Sequence, residues 1–533
     1  MTNAIAEFED SGCIFVIGSN TTACHPLIAR RIYRAKEKGA KLIVADPRNI
    51  QLSRFADVAV QHRLGSDVAL LNGMMHVIIE NGWHNQAYID ERTEGFAELE
   101  RVVADYTPGM VEAICGVRPK DLERMAELYA TLPPAALLYA MGITQHTTGV
   151  DNVKSCCNLA MLTGNVGVYG GGVNPLRGQN NVQGACDMGG LPNVFTGYQP
   201  VADAEIREKF SQAWGRPLPE APGMTITDMV PAMLDGRLKG LFVIGENPKL
   251  SDPDWNHLTH ALKSLEFLAV QELFLSETAQ VADVVLSAAS LAEKDGTFTN
   301  SERRCMRIRK AVEPLGNTLP DWEIICRLST AMGYPMHYDR PEEIFDEMVS
   351  LTPKSYGGMS YERLGVDGLQ WPCPNPDHPG TGYLHKESFA RGKGKFHAVP
   401  YADPAEMPDA DYPFFLTTGR MFAHFHTGTM TRVSAGLDVE QRSGYVEIHP
   451  EDARRLSVAE GDTLILSSRR GEMEAPVRVT ETVSPGNLFL PIHFGENPSN
   501  VLTNAEAFDP LAKIPEFKVS AVRAARPEQR QPA

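Results

Sequence analysis

Residues 174–189, NPLRGQNNVQGACDMG, concentrate hydrogen-bonding chemistry: the guanidinium of Arg177, a run of Asn and Gln amides, and the carboxylate of Asp187. Gly178, Gly184 and Gly189 loosen the backbone, and the few apolar residues follow neither a helical nor a strand period. Such a stretch is suited to wrapping a polar ligand. A solvated surface loop, the alternative, draws instead on Lys, Glu, Ser and Pro. A second polar glycine loop joins Thr418-Gly419-Arg420 to His424-Phe425-His426-Thr427-Gly428. Its two histidines make a poor metal site by themselves, because no third ligand stands near them in the sequence. A third, residues 293–304 (EKDGTFTNSERR), sets charges of both signs around Gly296 and is expected to form a loop.

The elements that must position these groups are legible as periods. Residues 13–18 (CIFVIG) are an apolar run of buried-strand type, followed by a polar turn, a helical pattern over 27–38 stopped at Gly39, and a second strand over 41–45 closing on Asp46-Pro47-Arg48. In such a strand-turn-helix-strand unit Gly18 lets backbone approach a phosphate, and Asp46 can accept hydrogen bonds from a ribose or base. One unit without a full G-x-G-x-x-G is a weak signal. The unit recurs, however: FVIGSN at 15–20 returns as FVIGEN at 242–247, and the acid closing the next strand follows Gly18 by 28 residues (Asp46) and Gly245 by 27 (Glu272). Two copies in register predict two related half-sites.

Further strands are expected over 56–60, 135–140 and 281–287, and helices over 67–78, 96–106, 119–131 and 150–162, with Asp67 either capping its helix or touching a ligand. Residues 141–146 (MGITQH) should be a loop, and 335–400, rich in Pro, Gly and Tyr, irregular. From Tyr412 the period shortens to FFLTTGR, YVEI, TLILSS, APVRVT and NLFLPI, separated by Glu460-Gly461-Asp462 and Pro485-Gly486-Asn487, the pattern of a small closed β-barrel. This divides the chain into an α/β domain over 1–178, a second α/β domain with an irregular insertion over 179–400, and a barrel over 401–533, with a disordered tail over 526–533.

Composition narrows the function classes. Lys and Arg number 50 against 67 for Asp and Glu, a formal charge of −17, with no dense basic run. Nucleic acid and anionic membrane are thereby poor partners. No apolar stretch approaches the roughly 20 residues of a membrane span, and the N-terminus lacks the pattern of a secretion signal, which points to the cytoplasm. The nine cysteines include no C-x-x-C pair, as buried free thiols in a reducing compartment would.

Taken together, NPLRGQNNVQGACDMG, CNLAMLTGNVG (157–167), EKDGTFTNSERR and TTGRMFAHFHTGTMT (417–431) resemble the large subunit of molybdenum- or tungsten-dependent formate dehydrogenases, over essentially all 533 residues. The resemblance implies two Rossmann-like parallel-sheet units related by an internal repeat, followed by a C-terminal double-psi-type β-barrel. It also implies a cofactor of two pterin guanine dinucleotides on one metal, a bis(molybdopterin guanine dinucleotide) centre. Carried across, Gly18, Ser19, Asn20, Asp46, Arg48, Gly65, Ser66 and Asp67 would hold one dinucleotide, and Gly245, Glu246, Asn247, Gln271, Glu272, Lys294 and Asp321 the other. Met141, Gly142 and Gln145 would approach the pterins, which Thr418, Gly419, Arg420, His424, His426, Thr427, Asn500 and Lys518 would clasp. Arg177 matches the formate-site arginine. Formate and carbon dioxide are the implied reactants, and electron-transfer subunits or another redox acceptor the implied partners.

The family also has an upstream four-cysteine 4Fe-4S motif and a metal-binding cysteine or selenocysteine followed by histidine, and neither is in this sequence. The opening MTNAIAEFED resembles the segment shortly after the metal ligand, so Met1 is expected to be an internal methionine after a selenocysteine codon read as a stop, and the chain alone to be inactive. The competing readings are another member of the superfamily, such as a nitrate reductase, whose Arg177 position looks different, and a metal-free scaffold subunit of an electron-transfer complex.

Overall fold

The computed structural model of the chain describes residues 1–527. Most of the expected C-terminal tail, 528–533, lies outside the described residues. The chain divides into two compact units, one formed by Met1–Gly178, Pro248–Thr259 and the chain from Tyr383 on, the other by Gln179–Asn247 and His260–Gly382.

In the first unit β1 (Cys13–Ile17), β2 (Lys41–Ala45), β3 (Val58–Val60), β4 (Ala135–Tyr139) and β5 (Val173–Pro175) form a parallel sheet in the order β3-β2-β1-β4-β5. β1 and β4 are buried along their whole length, which is why they read as unbroken apolar runs rather than alternating ones. Their side chains still alternate between two layers. Cys13, Phe15 and Ile17 face a core shared with helices Asp67–Glu80, Pro119–Thr131 and Gly149–Leu162, while Ile14 and Val16 face one built on Ile28, Ile32 and Ala35 of helix Pro26–Glu37. The result is a doubly wound α/β sheet with helices on both faces.

The same unit carries a closed six-stranded barrel of β11 (Phe414–Gly419), β12 (Val446–Ile448), β13 (Thr463–Ser467), β14 (Glu472–Val479), β15 (Asn487–Pro491) and β16 (Ser520–Ala525), in the order β11-β15-β12-β14-β13-β16. β11 runs parallel to β15 and β12 to β14, whereas β16 is antiparallel to both β11 and β13. Closure removes the free edges that such short strands would otherwise expose.

In the second unit β6 (Gly240–Ile244), β7 (Phe267–Glu272) and β8 (Val284–Ser287) make a smaller parallel sheet in the order β8-β7-β6. The repeat read from sequence is a repeat of backbone geometry. The Gly18 N–H donates to Ala45 O at 3.1 Å and the Gly245 N–H to Gln271 O at 2.9 Å, each acceptor being the residue just before the acid. Both glycines take left-handed φ, +57° and +64°.

Three loop expectations are corrected. Residues 293–304 contain much of an antiparallel hairpin, β9 (Gly296–Thr299) and β10 (Arg304–Ile308), closed by Asn300, whose Oδ1 accepts from the N–H groups of Glu302 and Arg304, both at 3.1 Å. Charged residues at its bend hid a four-residue alternating strand. Residues 174–189 are not one continuous wrapping loop: Asn174 and Pro175 end β5, and Val182–Asp187 is a short helix. Asp187 is fully buried and accepts from Gln183 Nε2 at 2.7 Å, Tyr198 Oη and Trp371 Nε1, both at 2.8 Å, and from the Tyr356 hydroxyl, so it is a core anchor. Within 335–400, Pro341–Leu351 is a helix that begins on its proline and buries Phe345, Met348 and Leu351.

Candidate active site

Four of the candidate groups in the first unit emerge from the C-terminal ends of parallel strands: Gly18 after β1, Asp46 after β2, residues 141–145 after β4 and Arg177 after β5. Strand order reverses between β1 and β4, the place where open α/β sheets leave a crevice for ligands. At that switch point the two loops touch backbone to backbone. The Gly142 N–H donates to Gly18 O at 3.1 Å, and a Cβ on Gly142 would lie 2.5 Å from that oxygen. Glycine is therefore required on both sides of the contact.

Around this point the structure accounts for each candidate. Ser19 is buried with its hydroxyl 2.9 Å from Thr21 Oγ1, and Asn20 Oδ1 accepts from Thr22 at 3.2 Å. Asp46 accepts from the Arg48 N–H at 2.9 Å, and burial pushes its carboxyl up. The Arg48 guanidinium crosses to the barrel, donating to Glu447 Oε2 through Nη2 at 2.7 Å and Nε at 3.2 Å and stacking 3.5 Å above Phe489. Gly65, at φ +76°, lies against Pro404, and Ser66 donates to Arg63 O at 2.6 Å. Ser66 holds the N-cap position, and Asp67 turns its carboxylate inward to His62 Nε2 at 3.0 Å. Residues 141–144, expected as part of a loop, are instead a single helical turn closed by the Gln145 N–H on Met141 O, with Met141 exposed.

The barrel supplies the other wall. Lys518 donates its backbone N–H to Gln145 O at 3.3 Å and its ammonium to Thr418 O at 2.6 Å, while Thr418 Oγ1 donates to Phe517 O at 2.8 Å. A Cβ on Gly419 would meet the Phe489 ring. Arg420 stacks on Phe425, 5.0 Å from its centroid, and burial depresses its pKa. Both ring nitrogens of His424 are engaged, Nε2 with Gln441 O at 2.6 Å and Nδ1 with Thr431 Oγ1 at 3.3 Å, which rules it out as a ready metal ligand. Thr427 pairs with Thr429 at 2.9 Å.

His426 takes left-handed backbone, φ +47°, and rests its ring against Gly178, the residue after Arg177. Burial and the nearby Arg420 guanidinium push the His426 pKa down to about 4, and the same two causes bring His25 to about 4. These imidazoles are held neutral first by burial and then by the arginine charge. His25, His493 and Phe489 were not singled out from sequence. His493 donates its Nδ1–H to His426 O and accepts from the Met421 N–H at 2.9 Å, so it braces the loop from the segment just past β15, a pairing no local pattern announces.

In the second unit the structure gathers Gln271, Lys294 and Asp321: Gln271 Nε2 donates to Asp321 Oδ1 at 2.7 Å, and Lys294 pairs with Asp321 Oδ2. Glu272 accepts from the Leu273 N–H at 2.7 Å, and its pKa is raised by burial and by the Asp321 charge. Burial likewise raises Glu246. Asn247 bridges Glu277 at 2.6 Å and Thr278 Oγ1 at 2.8 Å. Asn500, in the first unit, donates to Lys249 O at 3.1 Å and Asp252 O at 2.6 Å.

Residues 1–331 match the model of the family described as Molybdopterin oxidoreductase, and 414–521 that of the Molydopterin dinucleotide binding domain. The chain belongs to the molybdopterin oxidoreductase family. It is 50% identical to F420-dependent formate dehydrogenase 1 subunit alpha of Methanococcus maripaludis, covering 98% of this chain and 77% of that one. It is 40% identical to formate dehydrogenase H of Escherichia coli, covering 98% and 74%. Among solved structures, acetylene hydratase from Pelobacter acetylenicus superposes with a TM-score of 0.76 at 19% identity, over 97% of this chain and 78% of that one, a likeness of fold. The doubled α/β unit and closed barrel are thus this family's architecture. Among the described residues no helix is long and apolar enough to cross a membrane.

Proposed function

We propose that this chain oxidises formate to carbon dioxide, reversibly, as the large subunit of a formate dehydrogenase with a molybdenum or tungsten bis(molybdopterin guanine dinucleotide) centre. Four buried polar atoms support the fit of that group: Arg420 Nε and His426 Nε2, Asn500 Oδ1 and, in the second unit, Gln271 Oε1 have no hydrogen-bond partner within the protein. Buried donors and acceptors are rarely left so, and pterin and guanine edges offer complements to both kinds. A Cβ on Gly245 would meet nothing within 4 Å, leaving its backbone open to close approach by a phosphate. The metal centre would supply the two-electron acceptor.

Everything else falls to the chain. Gly18, Ser19, Asn20, Asp46 and the loop Gly65 to Asp67 would hold one dinucleotide, and Gly245, Glu246, Asn247, Gln271, Glu272, Lys294 and Asp321 the other. Met141, Gly142, Gln145, Thr418, Arg420, His426, Thr427, Asn500 and Lys518 would line the pterins. Arg177 would grip formate: a guanidinium stays charged and offers two parallel N–H donors to a carboxylate, fixing the direction of its C–H bond. Formate yields two electrons and a proton and becomes carbon dioxide, which carries no charge for Arg177 to hold, so product leaves readily. The electrons pass to a redox partner.

The observation carrying this reading is the place of Arg177 just past the end of β5, next to Gly178 and its close contact with the His426 ring. Arg177→Lys in the holoenzyme should lower formate turnover by on the order of a hundredfold while metal and pterin content hold. Unchanged turnover removes Arg177 from the substrate role.

A further inference from the structure

Behind the 141–145 turn lies a cluster of buried ionisable groups, of which the proposed function uses only the loop that ends at Asp67 and leaves the cluster's side-chain interactions unexplained. The side chains of His62, Asp67, His146 and Glu516 expose 0%, 3%, 3% and 2% of their surface. His146 stands between the two carboxylates, its Nε2 3.9 Å from Asp67 Oδ2 and its Nδ1 3.8 Å from Glu516 Oε1. Nε2 also lies 2.8 Å from Gly142 O, an acceptor, so it bears a proton. Nδ1 has no hydrogen-bond partner. A lone pair there would face the Glu516 carboxylate in a dry interior, whereas an N–H turns that repulsion into attraction.

Each carboxylate has further partners as well. Asp67 Oδ1 meets His62 Nε2 at 3.0 Å. Glu516 accepts from the Thr147 N–H at 3.2 Å, the Thr147 hydroxyl at 3.3 Å and the Ala405 N–H at 3.1 Å. The other titratable groups around the cluster include Asp46, within electrostatic reach of His62 and itself pushed up by burial, Arg63 near Cys115, and the Cys115 and Cys156 thiols, both pushed up by burial and so uncharged near neutrality.

We propose that His146 is a positioning residue, held as an imidazolium between Asp67 and Glu516, which through the Gly142 carbonyl fixes the turn carrying Met141 and Gln145. Gly142 packs on Gly18 without room for a Cβ, so the placement of this turn is passed to the glycine loop after β1. The segment that supplies Glu516 also ties Lys518 N–H to Gln145 O, which fastens the turn at its other end. Burial alone would lower the His146 pKa, but Glu516 and Asp67 outweigh it and the net direction is upward. The inference rests on the reading of 141–145 as cofactor-facing only in what the turn is for, not in how it is held.

Three measurements test it. In protein carrying ¹⁵N-labelled histidine, the His146 ring should show both nitrogens protonated near pH 7; a neutral tautomer there overturns the proposal without any variant needing to fold. A raised folded pKa contributes stability that is complete below the unfolded value of about 6.5 and is lost as pH rises through the folded pKa. The urea-midpoint difference between wild type and His146→Gln should therefore shrink as pH rises, and Glu516→Gln should remove most of that dependence; a pH-independent difference overturns the charge. Released pterin, read by fluorescence, should fall by on the order of tenfold in His146→Ala and recover partly in His146→Gln, which keeps a donor for Gly142 O. Equal pterin in wild type and His146→Ala overturns the positioning role. Wild type that binds no pterin at all, with the pH dependence intact, instead sinks the cofactor reading and leaves the ionic cluster standing.

Discussion

The His426 imidazole packs against the Cα of Gly178 so closely that a Cβ built on Gly178 would lie 2.6 Å from its Cε1 and 2.8 Å from its Nε2. The ring has little freedom to retreat, because His493 holds the His426 carbonyl and the backbone there is already left-handed. Gly178→Ala must therefore displace the ring or the chain that carries Arg177. The expected outcome is a loss of about 1–3 kcal/mol in urea unfolding, typical of an overpacked site. The formate KM should also rise by on the order of tenfold from misplacement of the arginine. His426→Ala in the same chain should recover much of the lost stability, since it removes the colliding ring. Strictly additive effects of the two substitutions would show that the contact is not what matters.

The two repeated glycines should respond differently to the same change. At Gly18 an added Cβ would lie 2.8 Å from backbone of Gly142, which cannot swing aside, whereas at Gly245 it would meet nothing. Both positions have left-handed φ, a strain of about 1–2 kcal/mol for alanine. Gly18→Ala should add overpacking to that strain and lose roughly 3 kcal/mol or more. Gly245→Ala should lose only the strain, yet bind less pterin dinucleotide, because its methyl enters space left open. Comparing thermal unfolding with released pterin separates the two; equal pterin content in wild type and Gly245→Ala would remove Gly245 from the cofactor site.

Much of this architecture could be read from sequence where burial and period coincide. FVIGSN and FVIGEN announce the repeat because each is an apolar strand closed by a glycine of positive φ, although only β1 is buried along its whole length and β6 leaves Ile244 exposed. The barrel was legible because each strand is short, apolar on one face and closed by a turn signal. Residues 174–189 were harder: the stretch looks uniformly polar, but Asp187 sits fully buried on Gln183, Tyr198, Tyr356 and Trp371, partners up to 184 residues away that local pattern does not reveal. Asp67 shows the same limit. Its position at a helix start suggested a cap or a ligand contact, whereas its carboxylate is committed to His62 and His146.

Arg48 entered as a cofactor-holding residue, and its geometry makes a second demand on it. Its side chain and that of Glu447 are 14% and 6% exposed, so this is a buried ion pair joining the loop after β2 to the barrel, with the guanidinium also stacked on Phe489. Removing one partner leaves the other charge buried alone, at a cost of about 3–5 kcal/mol. Arg48→Met should lower the unfolding midpoint accordingly, and Arg48→Met with Glu447→Leu should restore much of it. Arg48→Met folding as stably as wild type would mean that the ion pair and stack contribute nothing net.

Lys518 offers a test that depends on pH rather than on a lost contact. Burial brings its ammonium down to about 8, against an attraction to the Cys24 and Asp46 sites that is too weak to offset it. A lysine with a depressed folded pKa makes the unfolded chain bind more protons between about pH 8 and pH 10.4, so stability gained from its deprotonation appears across that window. Below about pH 8 the buried charge weighs fully against folding. Relative to Lys518→Met, the wild-type protein without cofactor should therefore gain stability as pH rises from about 8 to about 10, read as a converging urea midpoint. An anionic pterin phosphate beside the ammonium would reverse the balance by favouring the charged form, and the convergence should then vanish in cofactor-loaded protein. Convergence of equal size in loaded and cofactor-free protein would place the anion away from Lys518, and a difference flat with pH in both would show that the ammonium is not desolvated.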